Sequence, residues 1–360
     1  MKRSVKIILI GLASILIAVM VASGWFFSKA APIGTGYVAK YLCSSTFISG
    51  RNPEIVFQED VAPVNPLAKI VTYQIDRTKK SVTADSFGLF GLTAIYRDGC
   101  GCSLVIGTTA DEMARQKLVP PDFKKNRPRR RADLPWPAGG LGPVDSSGLG
   151  VDRQKLEAAL DAAFTEPGPE KPRKTRAVVV IYDGQLIGER YAPGFDKDMP
   201  LLGWSMSKTV TNALVAILVR QNRLDIMQPA PVPAWQADND DRKKITLDQL
   251  LRMSSGLKFE EVYLPLYDAT YMLYGSSDFA AYAAAKPFET EPDTKWYYSS
   301  GTANIVARIV RQAIEKEYDY YYHFIYDELF DKIGMYSAIL EPDSSGTFVG
   351  SSYTFATPRD

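Results

Sequence analysis

Residues 203–219 read GWSMSKTVTNALVAILV: a short polar opening that leads straight into an apolar run. The run Thr209–Val219 is strongly apolar and has the length of a packed helix. Ser205-Met206-Ser207-Lys208 stands at its start, so a Ser-x-x-Lys pattern is expected on one helical face, with the Lys208 amine in reach of the Ser205 hydroxyl. A serine at a helix start also meets backbone N–H groups and a dipole that favour developing negative charge. Acyl transfer needs that environment. The pattern alone is weak, because composition yields about one in a chain of this length. A second copy, Ser255-Gly256-Leu257-Lys258, has glycine inside it and no helical pattern after it. It reads as a loop.

A lysine acts as a base only when its pKa falls well below about 10.4. Burial and a second polar group that shares the proton bring this about. Tyr298 in Trp296-Tyr297-Tyr298-Ser299-Ser300-Gly301 is a candidate second member, placed on a loop before a helix expected over Ile305–Glu315. With 20 tyrosines in the chain, core packing is the competing reading for it.

Ser205-Met206-Ser207-Lys208 followed by Tyr298-Ser299-Ser300 resembles the first two motifs of the serine β-lactamase and penicillin-binding-protein family, with its class C β-lactamase, esterase and 6-aminohexanoate-dimer hydrolase members. Asn222–Asp225, Ile245–Leu257 and Leu329–Met335 are similar to segments of that family as well. The resemblance runs from about Val144 to the end. It implies an α/β fold, an antiparallel sheet with a helical region, and hydrolysis of an amide or ester through an acyl-enzyme. It implies Ser205 as nucleophile, Lys208 and Tyr298 as the groups that move its proton, and Ser300 as the residue that orients Lys208 and the substrate. The Ser205 backbone N–H would be half of an oxyanion hole. No cofactor is implied. The family's third motif, Lys-Thr-Gly or His-x-Gly on a strand, is not found: Lys208-Thr209-Val210 lies in the nucleophile helix, and Lys332-Ile333-Gly334 reads as a helix end capped by Gly334. In relatives a stretch such as Ser351–Asp360 leads into another helix. The hydrolase region is therefore expected to be truncated at its C-terminus, with an unfinished sheet, half an oxyanion hole and weak turnover.

Two other readings compete. An α/β-hydrolase would need Gly-x-Ser-x-Gly, which Gly203-Trp204-Ser205-Met206-Ser207 misses at its last position, and His323 as its base. His323 sits among Tyr320, Tyr321, Tyr322, Phe324 and Ile325 and reads as a packed helix residue. A non-catalytic, membrane-tethered binding protein or an inactive truncated pseudoenzyme is the second.

Working outward to the N-terminus, Lys2, Arg3 and Lys6 precede an uncharged stretch from Ile7 to Phe27, matching the ~20 residues of a membrane span. Positive charge before it sends the rest of the chain across, to the periplasmic side of a bacterial inner membrane. Trp25-Phe26-Phe27 suits an interfacial anchor. A cleaved signal peptide is the alternative, with Ala18 and Met20 or Ser28 and Ala30 as its small-residue site. The expected division is an anchor over 1–28, a β-rich module over 32–118, a Pro/Gly/Arg-rich linker over 119–143 and the hydrolase region over 144–360. The module reads as a meander of Lys69–Asp76, Lys80–Phe87, Leu92–Arg97 and Cys102–Ile106. In the linker, Lys124, Lys125, Arg127, Arg129, Arg130 and Arg131 read as solvated charge. A helix is expected from Asp152 to Phe164, then a hairpin of Arg176–Tyr182 and Leu186–Tyr191 about Asp183-Gly184.

With hydrophobic residues at 46%, charged residues at 23% and a net charge of +1, the chain is globular and has no electrostatic pull toward nucleic acid. Cys43, Cys100 and Cys102 beside a single histidine give no metal-site spacing. Outside the cytoplasm, thiols tend to pair. Cys43 with Cys102 is the expected pair, although spacing does not fix connectivity.

Overall fold

The apolar N-terminal stretch and the residues behind it form one helix. In the computed structural model, which describes residues 2–64, 66–120 and 123–360, α1 spans Lys2–Phe47. Its surroundings change once. The described side chains from Ile7 to Phe26 are exposed on every face, whereas nearly every residue from Ala30 to Thr46 is buried. A short helix α2 (Pro53–Val56) follows, its first N–H groups accepted by Asn52.

The buried half of α1 lies on an antiparallel sheet of β1 (Thr72–Asp76), β2 (Ser81–Ser86), β3 (Leu89–Arg97) and β4 (Gly101–Leu104), in that order. The expected meander is present. Its first strand starts later than expected, because Pro66–Ile70 forms a 3₁₀ turn. A disulfide joins Cys43 to Cys102, and the buried Cys100 thiol is free, pushed up to about 12 by burial. Beside the disulfide, Lys40 pairs with Glu341 inside the protein. Glu341 also accepts from Ser44 Oγ (2.8 Å) and from the Cys102 N–H (2.6 Å). A buried carboxylate needs such partners, since burial by itself pushes it toward the neutral form.

Two short helices, α3 (Ala110–Ala114) and α4 (Phe123–Asn126), lead into the basic run. Two of its arginines are not solvated. Arg127 donates to Asp331 (2.8 Å) and lies 4.1 Å over the Tyr326 ring, and Arg130 pairs with Asp360 and donates to the Gly334 carbonyl (3.0 Å). The density of Pro and Gly hid a strap that fastens residues 127–130 to the last segment of the chain.

The remainder is mixed α and β. Asp152 caps α5 (Arg153–Phe164) by accepting from the Lys155 N–H. The hairpin β5 (Ala177–Tyr182) and β6 (Gln185–Tyr191) turns through Asp183 and Gly184, both at positive φ as a type I′ turn requires. After β7 (Leu201–Leu202) come α6 (Ser207–Arg220), α7 (Leu247–Leu251), α8 (Asp268–Gly275), α9 (Phe279–Ala284), α10 (Ser300–Glu315) and α11 (Tyr321–Ile325), then β8 (Ile339–Leu340) and β9 (Thr354–Ala356). Strands β7, β9 and β8 pair antiparallel in that order. Helix α10 is the centre, touching α6, α7 and α9. Helix α1 reaches α8 because residue 36 is glycine: a Cβ there would lie 2.7 Å from the Tyr274 carbonyl oxygen.

Candidate active site

The turn before α6 is held from several sides. The Gly203 N–H donates to the Thr354 carbonyl (2.8 Å), and the Thr354 N–H donates to Ser207 Oγ (3.0 Å). Between these ties Trp204 adopts φ +44°, a left-handed conformation unusual for an aromatic residue and one that persists only where the surroundings enforce it. Its ring lies against Tyr41 of α1 and Tyr353, with centroids 6.4 and 6.3 Å away. The result is an exposed Ser205 in a 3₁₀ turn that runs directly into α6.

Lys208, one turn on, is half-buried and aims back. Its Nζ donates to Ser205 Oγ (3.3 Å), Ser300 Oγ (3.2 Å) and the Ser351 carbonyl (3.1 Å). An ammonium has three protons to give and no lone pair. A neutral amine held by Ser300 and Ser351 would direct its lone pair at Ser205. Tyr298 joins through its ring: Nζ lies 4.7 Å from the ring centroid, and the phenol is not hydrogen-bonded to Ser205 or Lys208. The structure thus gathers Ser205, Lys208, Tyr298 and Ser300 in one place.

Glu261 and Tyr263 complete the cluster and were not foreseen. Ser300 opens α10, and its N–H and Oγ–H both donate to the Glu261 carboxylate (2.7 and 2.5 Å). Tyr263 donates to the same carboxylate (2.7 Å), and the Tyr297 phenol oxygen accepts the Glu261 N–H (3.2 Å). Partial burial, then the hydrogen bond to Glu261, push the Tyr263 phenol above its ordinary range. The chain Lys208–Ser300–Glu261 therefore places a carboxylate behind the hydroxyl that receives the lysine. The Ser351 carbonyl was missed too, since a backbone acceptor leaves no mark in sequence.

The cleft in front of Ser205 has a volume of about 340 Å³. Trp204, Tyr263, Leu264 and Tyr274 line it from the α6 and α8 side, and Ile33 and Tyr37 line it from α1. Neither Ser255 nor His323 takes part. Ser255 is buried, accepting from the Leu257 N–H (3.4 Å). His323 is not packed as expected: its side chain is 47% exposed and meets Asp327 at 2.9 Å, one turn away on the surface. Among the described residues no group of three or more His, Cys, Asp or Glu is arranged to hold a metal ion.

A serine and a lysine one turn apart at a helix start, backed by a Tyr-Ser-Ser segment, define the site type of serine hydrolases of the β-lactamase and penicillin-binding-protein superfamily. The chain belongs to the Beta-lactamase family, whose profile matches residues 159–360. Among solved structures it is similar to a protein described as a 6-aminohexanoate-dimer hydrolase from Bacillus anthracis, at 22% identity and TM-score 0.48 over 65% of this chain and 63% of that one. It is similar to FmtA from Staphylococcus aureus, at 15% identity and TM-score 0.44 over 62% of this chain and 66% of that one. A D-stereospecific amidohydrolase from Streptomyces sp. matches at 17% identity and TM-score 0.44, over 58% of this chain and 70% of that one. No curated protein matched the chain. The chain spans less than two thirds of the length of the first two structures.

Proposed function

We propose that the protein is a membrane-anchored serine hydrolase that cleaves an amide or ester through an acyl-enzyme. The observation that carries this reading is the Lys208 amine, held by Ser300 and Ser351 with Ser205 Oγ as its third partner. Ser205 Oγ attacks the substrate carbonyl carbon while its proton passes to Lys208 Nζ. The Oγ–C bond forms, and the carbonyl becomes an oxyanion beside the N–H groups at the start of α6, with the Ser205 N–H as one donor. The bond to the leaving amine or alcohol then breaks, and the leaving group takes the proton. Tyr298 is assigned that relay, its phenol turning toward the cleft when substrate is present, since such contacts tighten in the complex. Until then its ring lies beside Lys208, with Nζ 4.7 Å from the ring centroid. Water, deprotonated by the same groups, cleaves the acyl-enzyme. Ser300 orients Lys208 and the substrate.

Helix α1 supports the anchor. Ile7 to Phe27 span about 30 Å at 1.5 Å per residue, and exposed Trp25 and Phe26 suit the interface with lipid headgroups. The Cys43–Cys102 disulfide favours an oxidising compartment, hence the periplasmic or outer side. The division at 28, 118 and 143 belongs to this proposal, with strands β2–β4 of the 32–118 module bracing the buried half of α1.

The test is a fluorescent penicillin or fluorophosphonate on the full chain, with the labelled peptide identified by mass spectrometry. Label on Ser205, lost in Ser205→Ala, is expected. Label that survives Ser205→Ala refutes the assignment, and saturable binding without label would favour the binding-protein reading. A reporter that fluoresces only in the cytoplasm, fused after Arg131, should be dark; a bright signal would overturn the topology.

A further inference from the structure

The exposed and buried halves of α1 are one continuous rod, and the cleft beside Ser205 opens on it. We infer that the substrate is an amphiphile resident in the membrane, and that the apolar cleft receives the acyl chain of a long-chain ester or amide while its carbonyl reaches Ser205. This rests on the reading of Ser205 as nucleophile and of α1 as anchor.

Three observations point the same way. Ile33 and Tyr37 wall the cleft, and they follow Phe26, the last exposed residue of the apolar stretch, by only seven and eleven residues. At 1.5 Å per residue this puts the cleft wall about 10–16 Å along the helix axis from the end of the span. A soluble substrate gains nothing from such a position.

Second, the β2–β3 hairpin meets the same level of α1. Its tip carries Phe87 and Leu89, 73% and 61% exposed, and the Phe27 ring lies 6.1 Å from Phe87 and 5.7 Å from Phe90. Two large apolar side chains at a hairpin tip, beside the aromatic end of an apolar helix, form a surface suited to dipping into headgroups.

Third, the rim of the cleft is apolar and open. Val64 and Leu264 line it at 71% and 58% exposure. The rim thus offers exposed apolar surface at the mouth of the cleft that holds Ser205. The occupant that fits all three is an acyl chain sliding from leaflet to cleft, since each buried methylene adds to the affinity.

The experiment uses the full chain reconstituted in phosphatidylglycerol–phosphatidylcholine vesicles, with ethyl and hexadecyl fluorophosphonates as probes. Each probe forms an Oγ–P bond at Ser205 and releases fluoride. The expected result is labelling by the hexadecyl probe about tenfold or more faster than by the ethyl probe. V64D/L264D should bring that ratio close to one. F87D/L89D should slow the vesicle-borne hexadecyl probe and leave the ethyl probe in water unchanged. Equal rates for the two probes, or a long-chain preference that survives V64D/L264D, overturn this inference alone. Failure of the ethyl probe to label Ser205 would instead overturn the proposed function beneath it.

Discussion

The chain holds the pattern Ser-x-x-Lys twice, and the two copies are put to different uses. At 205–208 the second residue, Met206, has helical φ −59°, so the pattern winds through one turn and the lysine returns to the serine. At 255–258 the second residue, Gly256, has φ +75°, and the chain reverses instead. There Ser255 is buried against its own loop, Lys258 is exposed, and the Lys258 N–H is bonded to the Pro287 carbonyl. Four letters specify chemistry only when the second and third let the first and fourth meet.

The largest expected difference between the copies lies in the lysines. Lys208→Met should lower acylation of Ser205 by about 10²–10⁴-fold, the range for losing a positioned base. Lys258→Met should leave it within about twofold, as befits an exposed side chain outside the site. Acylation rates measured by stopped labelling decide this, and comparable losses for the two variants would break the distinction between the copies.

The next difference is in stability and falls on the second residue. A Cβ on Gly256 would lie 1.9 Å from the Thr290 carbonyl oxygen, and that oxygen is backbone with nowhere to go. Gly256→Ala should cost about 1–3 kcal/mol or more, from positive φ and the clash together. Met206 is 70% exposed, so Met206→Ala should change stability by no more than about 0.5 kcal/mol. Urea unfolding of both variants measures the contrast. A Gly256→Ala protein as stable as its parent would mean that the 255–258 loop adopts another conformation.

How much of this was legible follows from the same contrast. Glycine and the missing helical period identified 255–258 as a loop, and the apolar run after Lys208 identified 205–208 as a helix start. Ser300 was legible because the Tyr-Ser-Ser segment precedes the amphipathic helix α10. Glu261 was not. It lies in residues 258–267, which have no period and no spacing relation to Ser205, and a Glu-Glu pair reads as solvated charge. Helix α1 was half legible. Ala30-Ala31-Pro32-Ile33-Gly34-Thr35-Gly36 carries a proline and two glycines, which argue against helix on propensity. Packing against β2, β3 and α8 overrides that preference, and the absence of a side chain at Gly36 is what permits the approach to α8. Arg127 and Arg130 were read as solvated for a similar reason: their partners Asp331 and Asp360 lie about two hundred residues downstream, where no local pattern points.

The smallest expected effect is also the one that would sharpen the comparison most. Ser205 and Lys208 have, and Ser255 and Lys258 lack, a carboxylate one hydroxyl away. Glu261 accepts both the N–H and the Oγ–H of Ser300, while Ser300 Oγ accepts from Lys208. In the proposed mechanism its negative charge favours the transfer of the Ser205 proton to Lys208, and the Ser300 hydroxyl transmits that preference. Glu261→Gln preserves the shape and removes the charge. The amide can still accept the Ser300 N–H, but its NH₂ group competes with Lys208 for the Ser300 oxygen. We expect a fall in the acylation rate of about tenfold, the scale of one hydrogen bond to a charged group. A Glu261 that only held the loop in place would lower the rate by the same factor whether or not the Ser300 hydroxyl is present. Acylation rates of Glu261→Gln, Ser300→Ala and the double variant, recorded with the short-chain fluorophosphonate, separate a residue that acts through Ser300 from one that merely packs beside it.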